Sequence, residues 1–174
     1  MNWPQMNADT RGLKHKELTE TIIGVFYEVY NELGHGFLES VYEKAFEVAL
    51  SSKGLNVLRQ IQVAVWFRGQ KVGDFVADVL VNQAVLLELK AARTIDSAHE
   101  ARLLNYLRAT EIEVGLLFNF GIKPEFKRLA FDNSRKQVQH FGEISIAALL
   151  KPSELGVGLL VSGFYLCFIR VYPR

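Results

Sequence analysis

Asp78, Glu88 and Lys90 are the residues of this sequence whose types and spacing could do chemistry together. Asp78 interrupts the apolar stretch Val76, Ala77, Val79, Leu80 and Val81, and Glu88 and Lys90 interrupt Val85, Leu86, Leu87 and Leu89. A charge inside an apolar strand is costly unless it is paired or bound to an ion. Glu88 and Lys90 stand two residues apart, so both project from one face of a strand. With Asp78 on that face, two carboxylates and an ammonium would converge. Carboxylate and carbonyl oxygens are the hard ligands that Mg²⁺ takes, with water completing the shell. An ion held this way lowers the pKa of a bound water and neutralises charge on a phosphodiester oxygen. A nearby lysine can orient that water or stabilise the charged transition state. The bland alternative is a solvated Glu–Lys pair and a strand-end Asp, and these three residues alone leave the two readings level.

Register decides between them. A two-residue Asn82-Gln83 hairpin would pair Val81 with Ala84 and so Asp78 with Leu87, leaving Asp78 on the wrong face relative to Glu88. A three-residue loop, or a bulge near the turn, would place Asp78 across from Glu88. The chemistry therefore predicts that odd loop or bulge, a feature found beside active sites.

The elements that must hold these residues are legible in the apolar periodicity. Residues 17–33 carry Ile22, Val25, Phe26, Val29, Tyr30 and Leu33 at helical spacing, stopped by Gly34-His35-Gly36. A second helix is expected over residues 38–52, closed by Gly54. The period then falls to two: Val57–Phe67, residues 72–81 and Val85–Lys90 read as strands of an antiparallel meander, with turns at Arg68-Gly69-Gln70 and Asn82-Gln83. Ser97–Ala109 returns to helical spacing. Val114–Phe120 is almost continuously apolar, as in a strand buried on both faces, and residues 126–131 suggest a further short strand. The third strand, the helix and the Val114 strand form a crossover, which implies a parallel pair. The fold class is α/β, a mixed central sheet flanked by helices.

Composition bounds the partners. At 174 residues and 49% hydrophobic the chain can bury a core without staples, and its one Cys, Cys167, excludes a disulfide framework or a Cys-rich zinc site. A net charge of +1 removes the argument from a strongly basic domain. Any phosphate-handling surface must be a local patch, for which Arg93, Arg102, Arg108, Lys123, Lys127 and Arg128 are the candidates. No apolar leader is visible in residues 1–16, and with scarce Cys this favours the cytoplasm.

The order Asp, then Glu-x-Lys on the next strand, after an acidic helix, resembles the PD-(D/E)XK phosphodiesterase superfamily. Gly36-Phe37-Leu38-Glu39-Ser40-Val41-Tyr42 fits the signature of its GxxExxY family. Asp74-Phe75-Val76-Ala77-Asp78, Leu87-Glu88-Leu89-Lys90-Ala91, His99-Glu100-Ala101, Leu104-Asn105-Tyr106-Leu107, Gly115-Leu116-Leu117-Phe118-Asn119-Phe120-Gly121 and Lys127-Arg128 agree in order. The resemblance covers roughly residues 16–131. It implies a restriction-endonuclease-like core, Glu39 as the acid from the helix, Asp78 and Glu88 as ligands of Mg²⁺ or Mn²⁺ with Glu39 supporting them, and Lys90 as the catalytic lysine. The expected activity is metal-dependent hydrolysis of nucleic-acid phosphodiester bonds, with DNA favoured over RNA. The alternative is a catalytically inactive module that keeps the fold and binds nucleic acid or protein. Arg102 departs from the family, which often carries Gln there.

Other residues are weaker. Glu39 also reads as a helix N-terminal acid that suits the dipole, and Tyr42 as a packing residue. His99, Arg102 and Tyr106 share one helix face and are expected as a phosphate-contacting rim, with a plain solvated face as the alternative. His15, His35 and His140 lack partners at ligand spacing. Asn119 reads as a structural hydrogen-bonding residue. The expected organisation is a flexible lead-in over residues 1–15, the nuclease-like domain over 16–131, and an extension over 132–174. Residues 155–169 of that extension carry no charge; an added strand or hairpin, a dimer or protein contact, and a membrane-touching segment are the readings, in that order, and the stretch is short for a spanning helix.

Overall fold

A computed structural model describes residues 13–136. The apolar stripe that begins the domain folds as α1 (Lys16–Leu33), ended by Gly34, whose positive φ of 70° lets its N–H return to the Tyr30 carbonyl. α2 (Glu39–Ser52) follows. The sheet has five strands, β1 (Val57–Phe67), β2 (Gln70–Val81), β3 (Val85–Lys90), β4 (Val114–Phe120) and β5 (Pro124–Ala130), in that spatial order. α3 (Ser97–Ala109) connects β3 to β4, which are parallel; every other neighbouring pair is antiparallel. This is the expected meander plus crossover. The largest boundary shifts are at the starts of β2 and β5. Arg68 and Gly69 alone make the first turn, both at positive φ, so β2 starts at Gln70. β5 starts at Pro124, earlier than expected, where an edge strand tolerates a missing N–H.

The sheet is buried between two apolar layers. α1 and α2 cover one face through Ile22, Val25, Phe26, Tyr42 and Phe46 against Val79, Leu87, Leu89, Leu116 and Phe118. α3 covers the other through Leu103, Tyr106 and Leu107 against Leu80, Leu86 and Leu117. Gly115 lets α3 approach, since a Cβ there would lie 2.8 Å from Leu103 Cδ1. β3 and β4 are buried along their whole length, which accounts for the nearly unbroken apolar character of β4 and leaves Glu88 and Lys90 of β3 as buried charges.

The turn between β2 and β3 has three residues, Asn82, Gln83 and Ala84, with Val81 opposite Val85. Asn82 and Gln83 both take positive φ, of 49° and 53°. The Asn82 carboxamide oxygen accepts from the Asn56 N–H at 2.8 Å, fixing the turn to the entry of β1. Continuing this register by one residue sets Asp78 opposite Glu88, the arrangement the chemistry demanded.

The ends of the described segment are tied to the domain. Lys14, inside the expected lead-in, pairs with Glu113 at 2.8 Å and Asp132 at 2.7 Å. Lys136, beyond the expected domain end, donates to the carbonyls of Thr110 and Ile112. The uncharged stretch at 155–169 lies outside the described residues.

Candidate active site

The signature around Glu39 works as a mechanical unit. Gly36 holds a φ of 103°, which a side chain would strain. Tyr42 stacks on Phe120 with ring centroids 3.9 Å apart. Its hydroxyl donates to the Gly34 carbonyl and accepts from the Phe37 N–H. Tyr42 is thus a packing residue that clamps the loop before α2. That clamp sets Glu39 at the first turn of α2, where it reaches across to β3: Oε1 accepts from the Ala91 N–H, and Oε2 lies 3.3 Å from Lys90 Nζ.

Asp78 is positioned by a local departure from strand geometry. Residues two apart in a strand face the same way. Here Ala77 packs on the α3 side and Val79 on the α1–α2 side. β1 makes the same change: Arg59 pairs with Glu43 and Glu47 of α2, whereas Ile61 packs on the α3 side. The register is kept across the switch, Arg59 pairing with Val79 and Ile61 with Ala77, so Gln60 and Asp78 face one another at the gap between these pairs. Gln60 sits at a φ of 54°, a strained state for a side-chain-bearing residue. Its amide donates to Glu43 Oε2 at 2.7 Å. The ladder between β2 and β3 runs from Val81 to Val79, and just past it Asp78 Oδ2 accepts the Leu89 N–H at 2.7 Å. A carboxylate thus takes a hydrogen bond that a strand backbone would otherwise take.

Glu88 and Lys90 lie on the same side of β3, next to Leu117 and Asn119 of β4. Glu88 is fully buried. Its Oε1 lies 2.9 Å from Lys90 Nζ and 3.3 Å from Arg102 Nε. Neither carboxylate oxygen is in a well-formed hydrogen bond. A buried carboxylate left this way has acceptor capacity to spare, which suits a cation. Lys90 Nζ donates to the Leu89 carbonyl at 2.7 Å and lies 4.0 Å from Asp78 Oδ2. Glu39, Asp78, Glu88 and Lys90 are therefore brought together at the end of β3.

The electrostatics follow from that crowding. Burial, then the negative charge of Glu88, pushes the Asp78 carboxyl up to about 7, against the pull of the Leu89 N–H and Lys90. Burial works against the Lys90 ammonium, but Glu88, Asp78 and Glu39 together outweigh it and raise its pKa.

The expected rim is only partly assembled. Arg102 Nε donates to the Tyr106 hydroxyl, and that hydroxyl donates to the Val76 carbonyl. Arg102 and Tyr106 thus link α3 to Glu88 and β2. His99 is engaged elsewhere: Nδ1 accepts from the Asp96 N–H while the His99 N–H donates to Asp96, a reciprocal cap on α3. Of the candidate basic patch, Lys127 pairs with Glu100 and Arg108 lies over the Phe131 ring. Asn119 is structural, accepting from the Ala92 N–H and so fixing the chain just after Lys90. Gly121 leaves room for that chain, since a Cβ there would collide with the Ala92 carbonyl oxygen. Two supporting residues were not among the candidates. Glu43 had a visible signal, an acid one turn after Glu39 between the core residues Tyr42 and Phe46. Gln60 had none, because its role lies in its backbone.

A family model described as the PD-(D/E)XK nuclease superfamily matches residues 16–129. Among solved structures, one titled "Crystal structure of SSO0001" is similar at 14% identity with a TM-score of 0.40, covering 68% of this chain and 59% of that one. This chain thus spans less than two thirds of that structure's length. No match is found among curated proteins.

Proposed function

Because the chain belongs to the PD-(D/E)XK nuclease superfamily, we propose that it hydrolyses phosphodiester bonds of nucleic acid, DNA in preference to RNA, at the end of β3, as a member of the GxxExxY branch. The observation that carries this reading is the buried, hydrogen-bond-poor carboxylate of Glu88 beside Lys90 and Asp78. Asp78, Glu88 and the Leu89 carbonyl are the residues that would hold Mg²⁺ or Mn²⁺, with Glu39 supporting them from α2. When bound, such an ion supplies a water activated at neutral pH and charge neutralisation at the phosphate. Lys90 orients that water or stabilises the developing charge through its ammonium. Arg102, half exposed and anchored on Tyr106, contacts the phosphate. His99 offers only its Nε2 side from the first turn of α3, since Nδ1 is taken by the Asp96 cap.

One observation favours the other reading, a silent binding module: among the described residues no group of three His, Cys, Asp or Glu side chains is close enough together to hold an ion. Incubation of single- and double-stranded DNA and RNA with Mg²⁺ or Mn²⁺ separates the two. The hydrolase reading expects cleavage of at least one substrate, abolished by EDTA and by Asp78→Ala. Binding without cleavage supports the silent module.

A further inference from the structure

The oxygens that the proposed site offers to an ion are already turned towards a cation. Lys90 Nζ lies 2.7 Å from the Leu89 carbonyl, 2.9 Å from Glu88 Oε1, 3.3 Å from Glu39 Oε2 and 4.0 Å from Asp78 Oδ2. Three of the four donors come from the set that the hydrolase reading needs, and the fourth is its supporting acid. Two cations cannot share so small a set of oxygens without strong mutual repulsion.

We propose that the Lys90 ammonium is a tethered counter-ion that occupies the oxygen cluster of the ion-free protein, and that it must be displaced towards Glu39 for a divalent ion to bind. This rests on the hydrolase reading of the same residues. Three features support it. Glu88 is completely buried, and a buried carboxylate without a countercharge is strongly destabilising, so the fold needs a cation there whether or not an ion is present. Arg102 meets that need only in part, from a half-exposed side chain 3.3 Å from Oε1. Lysine suits the temporary role, being a compact charge on a flexible four-carbon stem. The direction of displacement also follows. Asp78 and Glu88 are buried, whereas the Glu39 side chain is 43% exposed at the start of α2. It is the one partner at which a displaced ammonium stays both paired and hydrated.

The test is calorimetric titration of Mg²⁺ and Mn²⁺ into the full chain and its Lys90→Met variant under identical conditions. Displacement predicts at least about tenfold tighter binding to Lys90→Met, since binding no longer works against the lysine. Binding to wild type with equal or weaker binding to the variant overturns the displacement and leaves the hydrolase reading standing. Binding to neither overturns both. Lys90→Met removes the countercharge of Glu88 and can unfold the chain, so a measurement on wild type accompanies it. In ¹³C-lysine-labelled protein, the Lys90 Cε resonance is expected to shift in step with ion binding and to saturate with it. A resonance that stays in place while the ion binds overturns the proposal. As the supporting acid of the site, Glu39→Gln is expected to weaken binding in both backgrounds, and more in wild type, where Glu39 also accepts the displaced ammonium. Equal weakening in both makes Glu39 a direct ligand and rules out its role as the acceptor of Lys90.

Discussion

The side chains at the end of β3 are arranged so that each compensates for the burial of another. Glu88 is tolerable because Lys90 and Arg102 meet one of its oxygens, and Lys90 keeps its charge because three carboxylates surround it. Asp78 is the residue that gives way: burial and Glu88 raise its carboxyl to about 7 from the usual 3.8. A carboxyl raised on folding stabilises the fold fully below its unfolded value of 3.8, and that contribution is lost as pH rises towards 7. Without divalent ions, Asp78→Asn is therefore expected to melt close to wild type at pH 4 and above it at pH 8, with the gap opening between those values. Melting curves in EDTA across this range check the prediction. A gap that closes as pH rises would contradict it.

At the scale of elements, strand and helix types were readable because apolar spacing reports burial directly. Val114–Phe120 is almost continuously apolar and proves to be buried along its whole length. The three-residue turn was reachable only by working back from the chemistry, because Asn82-Gln83 reads as a two-residue turn and a single slip reverses every side chain. The change of face at Gln60 and Asp78 left no trace in composition. It is a backbone event at an ordinary residue, compensated by a hydrogen bond to the preceding helix, α2. His99 shows the converse: helical spacing puts it on the face of Arg102 and Tyr106, but a local capping bond to Asp96 claims its ring nitrogen. The Gln60 backbone makes a distinct prediction. Gln60→Gly removes the amide but accepts positive φ, whereas Gln60→Val opposes it. Chemical denaturation is expected to find the Val variant less stable than the Gly variant by about 1–2 kcal/mol. Equal stabilities would mean that positive φ at this position carries no strain.

For the whole molecule, a net charge of +1 combines an acidic cluster within the site with basic side chains, of which several beside the site are ion-paired. Lys90 and Arg102 contact Glu88, and Lys127 contacts Glu100. Among the described residues, these three cations near the site already face carboxylates. Binding of a duplex oligonucleotide is thus expected to depend shallowly on salt, with log K falling against log salt at a slope of roughly −1 to −4. A slope steeper than about −7 would mean that a larger basic surface contacts the phosphates. No helix among the described residues is long and apolar enough to cross a membrane. The two layers around the sheet meet at the end of β3, where α2 brings Glu39, β2 brings Asp78 and α3 brings Arg102 to Glu88 and Lys90. Single-turnover cleavage of an end-labelled DNA strand in Mn²⁺ tests this convergence most directly, comparing wild type with Asp78→Ala and Lys90→Ala purified in parallel. The account predicts cleavage by wild type and a loss of at least about a thousandfold in each variant, on the order of 4 kcal/mol of transition-state stabilisation. Equal rates in all three proteins would place the chemistry outside these residues.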